Sequence, residues 1–129
     1  MKKLLSIIIL SIIPLLSFAQ SVSQEIDSVQ IFIGCQAHLK VTVQSKKGEK
    51  VEMPLFKEGD TITAGVEVLD NGEEVTNDIG NGYVETTRQY TITSFDDTLY
   101  YIPPVKVTVN GKTLEGKSLA LKVLTCDVD

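Results

Sequence analysis

The chain has no tryptophan, one histidine and two cysteines among its 129 residues, and each scarcity closes off a class of chemistry. A sugar-cleaving cleft stacks its substrate on aromatic faces, so the carboxylates present here lack the usual companions of a glycosidase. With His38 alone, a Ser-His-Asp triad has one candidate base, and no Gly-x-Ser-x-Gly elbow surrounds any serine. His38 falls on the outward face of its strand with no visible partner, so neither a metal site nor a base is built around it. Cys35 and Cys126 form no Cys-x-x-Cys pair and have no activating base beside them, which argues against a redox centre. The expectation is a protein that is not an enzyme, with no cofactor and no metal.

The long apolar run sits at the start. Met1-Lys2-Lys3 is basic, Leu4 to Leu16 is apolar apart from Ser6, Ser11 and Pro14, and Ser17-Phe18-Ala19 offers small residues for cleavage. This reads as a secretory signal peptide over residues 1–19. The run falls short of the about 20 residues a membrane span needs, and Pro14 interrupts it. No cysteine follows the cut to carry a lipid, and no second apolar span follows. The product is expected to be exported, periplasmic or in the cell envelope, without a membrane span. Removing Lys2 and Lys3 from the 12 basic residues leaves 10 against 17 acidic ones, a net charge of −7. That balance disfavours nucleic acid and anionic lipid as partners.

The remainder reads as strands. Residues 20–25 are polar and are expected to be a flexible leader, with residues 127–129 a tail. Between them, residues 26–126 make one domain. Val29 to Ile33 is β-branched and aromatic. Leu39, Val41 and Val43 alternate with His38, Lys40, Thr42 and Gln44, giving one buried and one solvated face. Val51 to Leu55 is a short edge strand containing Pro54. Val66 to Leu69 precedes an Asp70-Asn71-Gly72 turn, and Tyr83 to Ser94 is a long strand opened by Gly80-Asn81-Gly82. Leu99 to Val109 and Leu119 to Leu124 complete the set, joined by an Asn110-Gly111 hairpin signal. About seven strands with turn punctuation predict an all-β, immunoglobulin-like antiparallel β-sandwich.

A corner signature supports that architecture. Asp96 precedes Tyr100 by four residues at the entry to the penultimate strand, the spacing of a tyrosine corner. The run resembles the Asp-x-x-x-Tyr-Tyr of immunoglobulin variable domains. Ile102 stands where those domains carry cysteine.

Tyr100-x-Ile102-Pro103-Pro104, the alternating Val105, Val107 and Val109, the Gly111-Lys112 turn and the closing run 118–123 resemble the exported β-sandwich of BatD-like aerotolerance proteins. The Ile33-Gly34-x-Gln36-x-x-Leu39 block and the 65–69 strand fit the same pattern, so the resemblance covers residues 26–124. The Phe18-Ala19-Gln20 cleavage style resembles exported proteins of Bacteroidota. By this resemblance the protein is a non-catalytic interaction module of an envelope assembly. Its implied partners are von Willebrand type A or tetratricopeptide membrane proteins. The alternative is a periplasmic or surface glycan-binding or adhesion module, with Tyr83 and Tyr101 as its small stacking surface.

Three smaller readings remain open. In an exported protein Cys35 and Cys126 are expected to form a disulfide, since a first strand running parallel beside the last would bring both to one end. Two unpaired thiols are the alternative. Asp70, Glu73, Glu74 and Asp78 form an acidic loop, either solvated or holding Ca²⁺. Ser28, Thr61 and Thr98 each follow Asp and precede an aliphatic residue, which resembles the O-glycosylation acceptor pattern of Bacteroidota.

Overall fold

The computed structural model describes residues 20–125. Among these residues twelve strands form, all paired antiparallel except one pair, and they build an immunoglobulin-like sandwich. In order they are β1 (Ser21–Ile26), β2 (Gln30–Phe32), β3 (Gln36–Lys46), β4 (Val51–Glu52), β5 (Thr61–Thr63) and β6 (Val66–Asp70). Then follow β7 (Val75–Gly80), β8 (Tyr83–Thr93), β9 (Leu99–Ile102), β10 (Lys106–Val109), β11 (Lys112–Glu115) and β12 (Leu119–Leu124). One layer is a six-stranded sheet in the order β1-β3-β8-β6-β5, with β7 also on β8. The other consists of two three-stranded sheets, β11-β10-β4 and β2-β12-β9.

The spine is the β3–β8 pair, in register from Gln36 opposite Thr93 to Lys46 opposite Tyr83. Period-two alternation turns Ala37, Leu39, Val41 and Val43 of β3 inward, where all four are fully buried. Tyr90 and Ile92 of β8 join them. These meet Ile31, Ile102, Val107, Val109, Leu121 and Val123 of the facing sheets in one core. Burying each such aliphatic side chain contributes about 1.5–3 kcal/mol against leaving it exposed.

The strand count exceeds the expected seven because one run divides and because β1, β5, β7 and β11 form where no strand is expected from the sequence. Leu99 to Val109 is not one strand. Pro103 and Pro104 have no N–H for a ladder, and the chain leaves the β12-paired sheet after Ile102 to enter the sheet of β4 and β11. The Asn110-Gly111 turn, with φ of 49° and 81°, therefore joins β10 to β11 and not to the 119–124 strand. The Val51 to Leu55 run shrinks to Val51–Glu52, and Pro54 instead offers its carbonyl to the Tyr90 hydroxyl at 2.8 Å.

The flexible leader expected at residues 20–25 is also corrected. Residues 21–26 are strand β1, paired along its length with β3. Its inward residue Gln24 is 7% exposed and spans the proline break. Its Nε2 donates to the Pro103 carbonyl at 3.1 Å, and its Oε1 accepts from the Val105 N–H at 2.8 Å. Val22 and Ile26 pack against the core on the same strand.

Replacing Gln24 by Leu keeps the volume but strands the buried Val105 N–H, a loss of about 1–3 kcal/mol. Urea unfolding of Gln24→Leu is expected to show a lowered midpoint with unchanged slope. An unshifted midpoint would mean the amide bridges nothing in solution.

Candidate functional site

The residues singled out by the sequence fall at separate places. At the corner, the Tyr100 hydroxyl donates to the Asp96 carbonyl at 3.3 Å and accepts from Ser94 Oγ at 3.0 Å. Ser94 is fully buried, so this bond sits at the end of the core. Gly65 packs under the ring. A Cβ there would lie 2.6 Å from Tyr100 Cε1, so only glycine fits that close approach.

His38 does face outward, but it has a partner the sequence did not reveal. Asp27 accepts from the His38 backbone N–H and meets Nδ1, both at 2.7 Å, while the Asp27 N–H donates to the His38 carbonyl at 3.1 Å. The His38 backbone N–H, ahead of its ring, holds the Asp27 carboxyl below the usual carboxylate range. Eleven residues of separation hid the pair. The shallow hollow around it is lined by Glu25, Ile26, Lys40 and Gln89 besides the pair itself, and none of these supplies a hydroxyl or thiol nucleophile. The arrangement ties the end of β1 to β3.

The acidic residues disperse. Glu74 approaches Arg88 at 3.9 Å. Asp78 lies in β7, accepting from the Gly80 N–H at 2.8 Å and facing Lys47 at 3.6 Å. Among the described residues no three of His, Cys, Asp or Glu group so as to hold a metal ion. Tyr83 and Tyr101 do not share a platform. Tyr83 starts β8, whereas Tyr101 lies on β9, whose Tyr100 contacts Ser94 just past the other end of β8. The length of β8 puts them roughly 30 Å apart.

Cys35 is exposed, in the turn after β2. Strand β2 pairs in parallel with β12, Phe32 opposite Leu124, and the Ile33 N–H reaches the Leu124 carbonyl at 2.9 Å. Cys126 lies outside the described residues, as do the signal segment and the tail. Of the acceptor-like hydroxyl residues, Ser28 is half-buried, while Thr61 and Thr98 are exposed.

A second polar device lies beside the middle of β8. Asn71 bonds both backbone groups of Phe56, donating to its carbonyl and accepting from its N–H, each at 2.8 Å. Gly72 follows with its carbonyl on Arg88 Nη1 at 2.7 Å. A Cβ at Gly72 would lie 2.2 Å from the Gln89 carbonyl oxygen. Phe56 stands edge-on to Tyr90 with ring centroids 5.5 Å apart.

What the surface does offer is area for contact. The outer face of β2-β12-β9 carries Phe32, Leu99 and Tyr101, which are 49%, 50% and 67% exposed. Register sets them on one side, with Leu99 opposite Lys122 and Tyr101 opposite Ala120. Strand β7 is exposed at all six positions. Of Phe32, Leu99 and Tyr101 the sequence singled out Tyr101 alone, because an outward Tyr or Leu has the same spacing as a core residue until strand phase is known.

The fold and these surfaces define an immunoglobulin-like module held together by polar corners. A family model described as the BatD DUF11-like domain matches residues 24–123, and the chain belongs to that family. No curated protein and no solved structure gives a significant match to the chain.

Burial pushes the Tyr90 hydroxyl up from about 10 to about 12, with Arg88 opposing the rise and Glu74 adding to it. The folded state thus keeps a proton that the unfolded chain releases. The resulting stability is complete below pH about 10 and is lost as pH climbs toward about 12. Tyr90→Phe is expected to flatten this alkaline fall in urea-unfolding free energy. An identical fall in the variant would assign the effect elsewhere.

Proposed function

We propose that the domain is a non-catalytic, exported protein-interaction module that works in the periplasm or cell envelope. The observation carrying this reading is the outer face of β2-β12-β9, where Phe32, Leu99 and Tyr101 stand about half or more exposed around Lys122. Isolated exposed apolar residues are ordinary, but Leu99 and Tyr101 stand two apart on one face of β9, and with Phe32 on the other edge strand of the same sheet they support a contact surface. Membership of the BatD family supports an envelope setting, and the basic-apolar-small start of the chain supports export. No helix among the described residues is long and apolar enough to cross a membrane. By family resemblance the partners are von Willebrand type A or tetratricopeptide membrane proteins. The test is affinity capture from detergent-solubilised envelope with the wild-type domain and with Leu99→Lys/Tyr101→Lys as baits. Capture of those two classes by the wild type alone is expected; equal capture by both, or by neither folded bait, would overturn the reading.

Export also bears on the cysteines. We propose that Cys35 and Cys126 are bridged, a reading supported by the parallel β2–β12 pairing that brings the Cys35 turn beside Leu124. Closing so long a loop stabilises the fold by about 4–5 kcal/mol in the chain-entropy account. Titration of the oxidised, denatured protein is expected to find no free thiol. Two reactive thiols would contradict the bridge.

A further inference from the structure

We propose that Asn81, at the tip of the β7–β8 hairpin, is a self-modifying site, where the folded chain loses a side-chain amide to the neighbouring Gly82 nitrogen and water. Three Asn-Gly pairs occur in the chain, at residues 71–72, 81–82 and 110–111. Glycine has no side chain to shield its backbone nitrogen, so such a pair is where an asparagine amide is attacked most readily. Sequence alone gives the three pairs the same chemistry, and the fold separates them. Asn71 is half-buried, and both ends of its amide are bonded to Phe56, each at 2.8 Å. Gly72 behind it is wedged against the Gln89 carbonyl, which leaves no room for a Cβ. Asn110 is exposed, but its Oδ1 accepts from the Lys50 N–H at 2.7 Å and its own N–H donates to the Lys50 carbonyl at 2.8 Å. Asn81 is exposed, and its amide has no partner among the described residues. A Cβ at Gly82 would meet nothing within 4 Å, so this peptide has room to turn. The Lys47 N–H holds the Gly82 carbonyl at 2.8 Å, a bond that leaves the attacking nitrogen unengaged.

The reaction balances with water as its added reactant. The Gly82 backbone nitrogen attacks Asn81 Cγ and gives up its proton, the Cγ–Nδ2 bond breaks, and the amide nitrogen leaves as ammonia carrying that proton. The five-membered imide that remains takes up water at either carbonyl. Opening at Cγ restores the Gly82 N–H and makes aspartate. Opening at the backbone carbonyl restores it too, but makes isoaspartate, with the chain rerouted through the side chain. The connection here is tight. Asn81 and Gly82 stand at φ of 55° and 80°, a two-residue turn of the primed kind, with Gly80 paired to Tyr83 across it. Isoaspartate adds one backbone atom to that turn, which its geometry absorbs only by loosening the pair. Strand β7 puts no residue into the core, so the loosening stays within the hairpin.

The test is ageing of the folded, exported chain at mildly alkaline pH, followed by proteolysis and mass spectrometry that counts aspartate and isoaspartate at each pair. Asn81 is expected to convert about tenfold or more faster than Asn71, whose two bonds must break first, with Asn110 between them. Isoaspartate is expected among the products at Asn81. In urea, where no fold distinguishes the pairs, the three rates are expected to draw together. Hydrogen exchange of the aged chain is expected to show β7 amides opening about tenfold faster, with the β3–β8 core unchanged. Asn81 converting no faster than the other two, the same ratios persisting in urea, or aspartate without isoaspartate would each overturn the proposal. β7 amides that exchange in the aged chain as slowly as in the fresh one would overturn the loosening of the hairpin.

Discussion

The side-chain amide of Gln24 is the interaction on which the arrangement of sheets depends. Two consecutive prolines leave the chain at residues 103–104 without backbone donors, at the place where it must cross from one three-stranded sheet to the other. Val105 brings the next N–H, and it is buried. A buried donor without an acceptor costs more than an ordinary hydrogen bond returns. Gln24 answers both sides of the break at once, accepting from Val105 and donating to Pro103. Because Gln24 sits on β1 of the large sheet, the same two bonds also lace the layers together. The valines of β10 can enter the core only if this crossing is held.

Tyr90 and Asn71 play a related part farther along. Tyr90 is fully buried and takes its polar end to the Pro54 carbonyl, while Asn71 imitates a neighbouring strand for Phe56. Short strands such as β4 leave long connections over the core, and these side chains supply the bonds that a ladder would otherwise give. Stability in this sandwich therefore rests on apolar alternation plus a few polar side chains that stand in for missing strand pairs.

Much of this was legible in the residues, and the failures have physical reasons. Alternation in β3 and the aromatic and β-branched run of β8 declared the two central strands, though not their pairing, since one face of each is buried and the other solvated. The proline break also leaves a mark in the sequence: inward residues are even-numbered at Tyr100 and Ile102 and odd-numbered at Val105, Val107 and Val109. A continuous strand cannot change phase in that way. Strand β1 was hidden because its inward middle position is Gln24, so a buried amide read as part of a polar leader. Strand β7 carries no alternation, being exposed throughout, and only its Gly80-Asn81-Gly82 turn hinted at a hairpin. Asp27 and His38 are ordinary residues until β1 and β3 are in register.

Native-state amide hydrogen exchange tests the central claim most directly. If Gln24 fastens β1 across the proline break, the Val105 amide and the β1 amides that pair with β3 exchange as slowly as those of the β3–β8 core. Exchange of Val105 and β1 at the rates of an unstructured segment, with β3 and β8 still protected, would contradict the account.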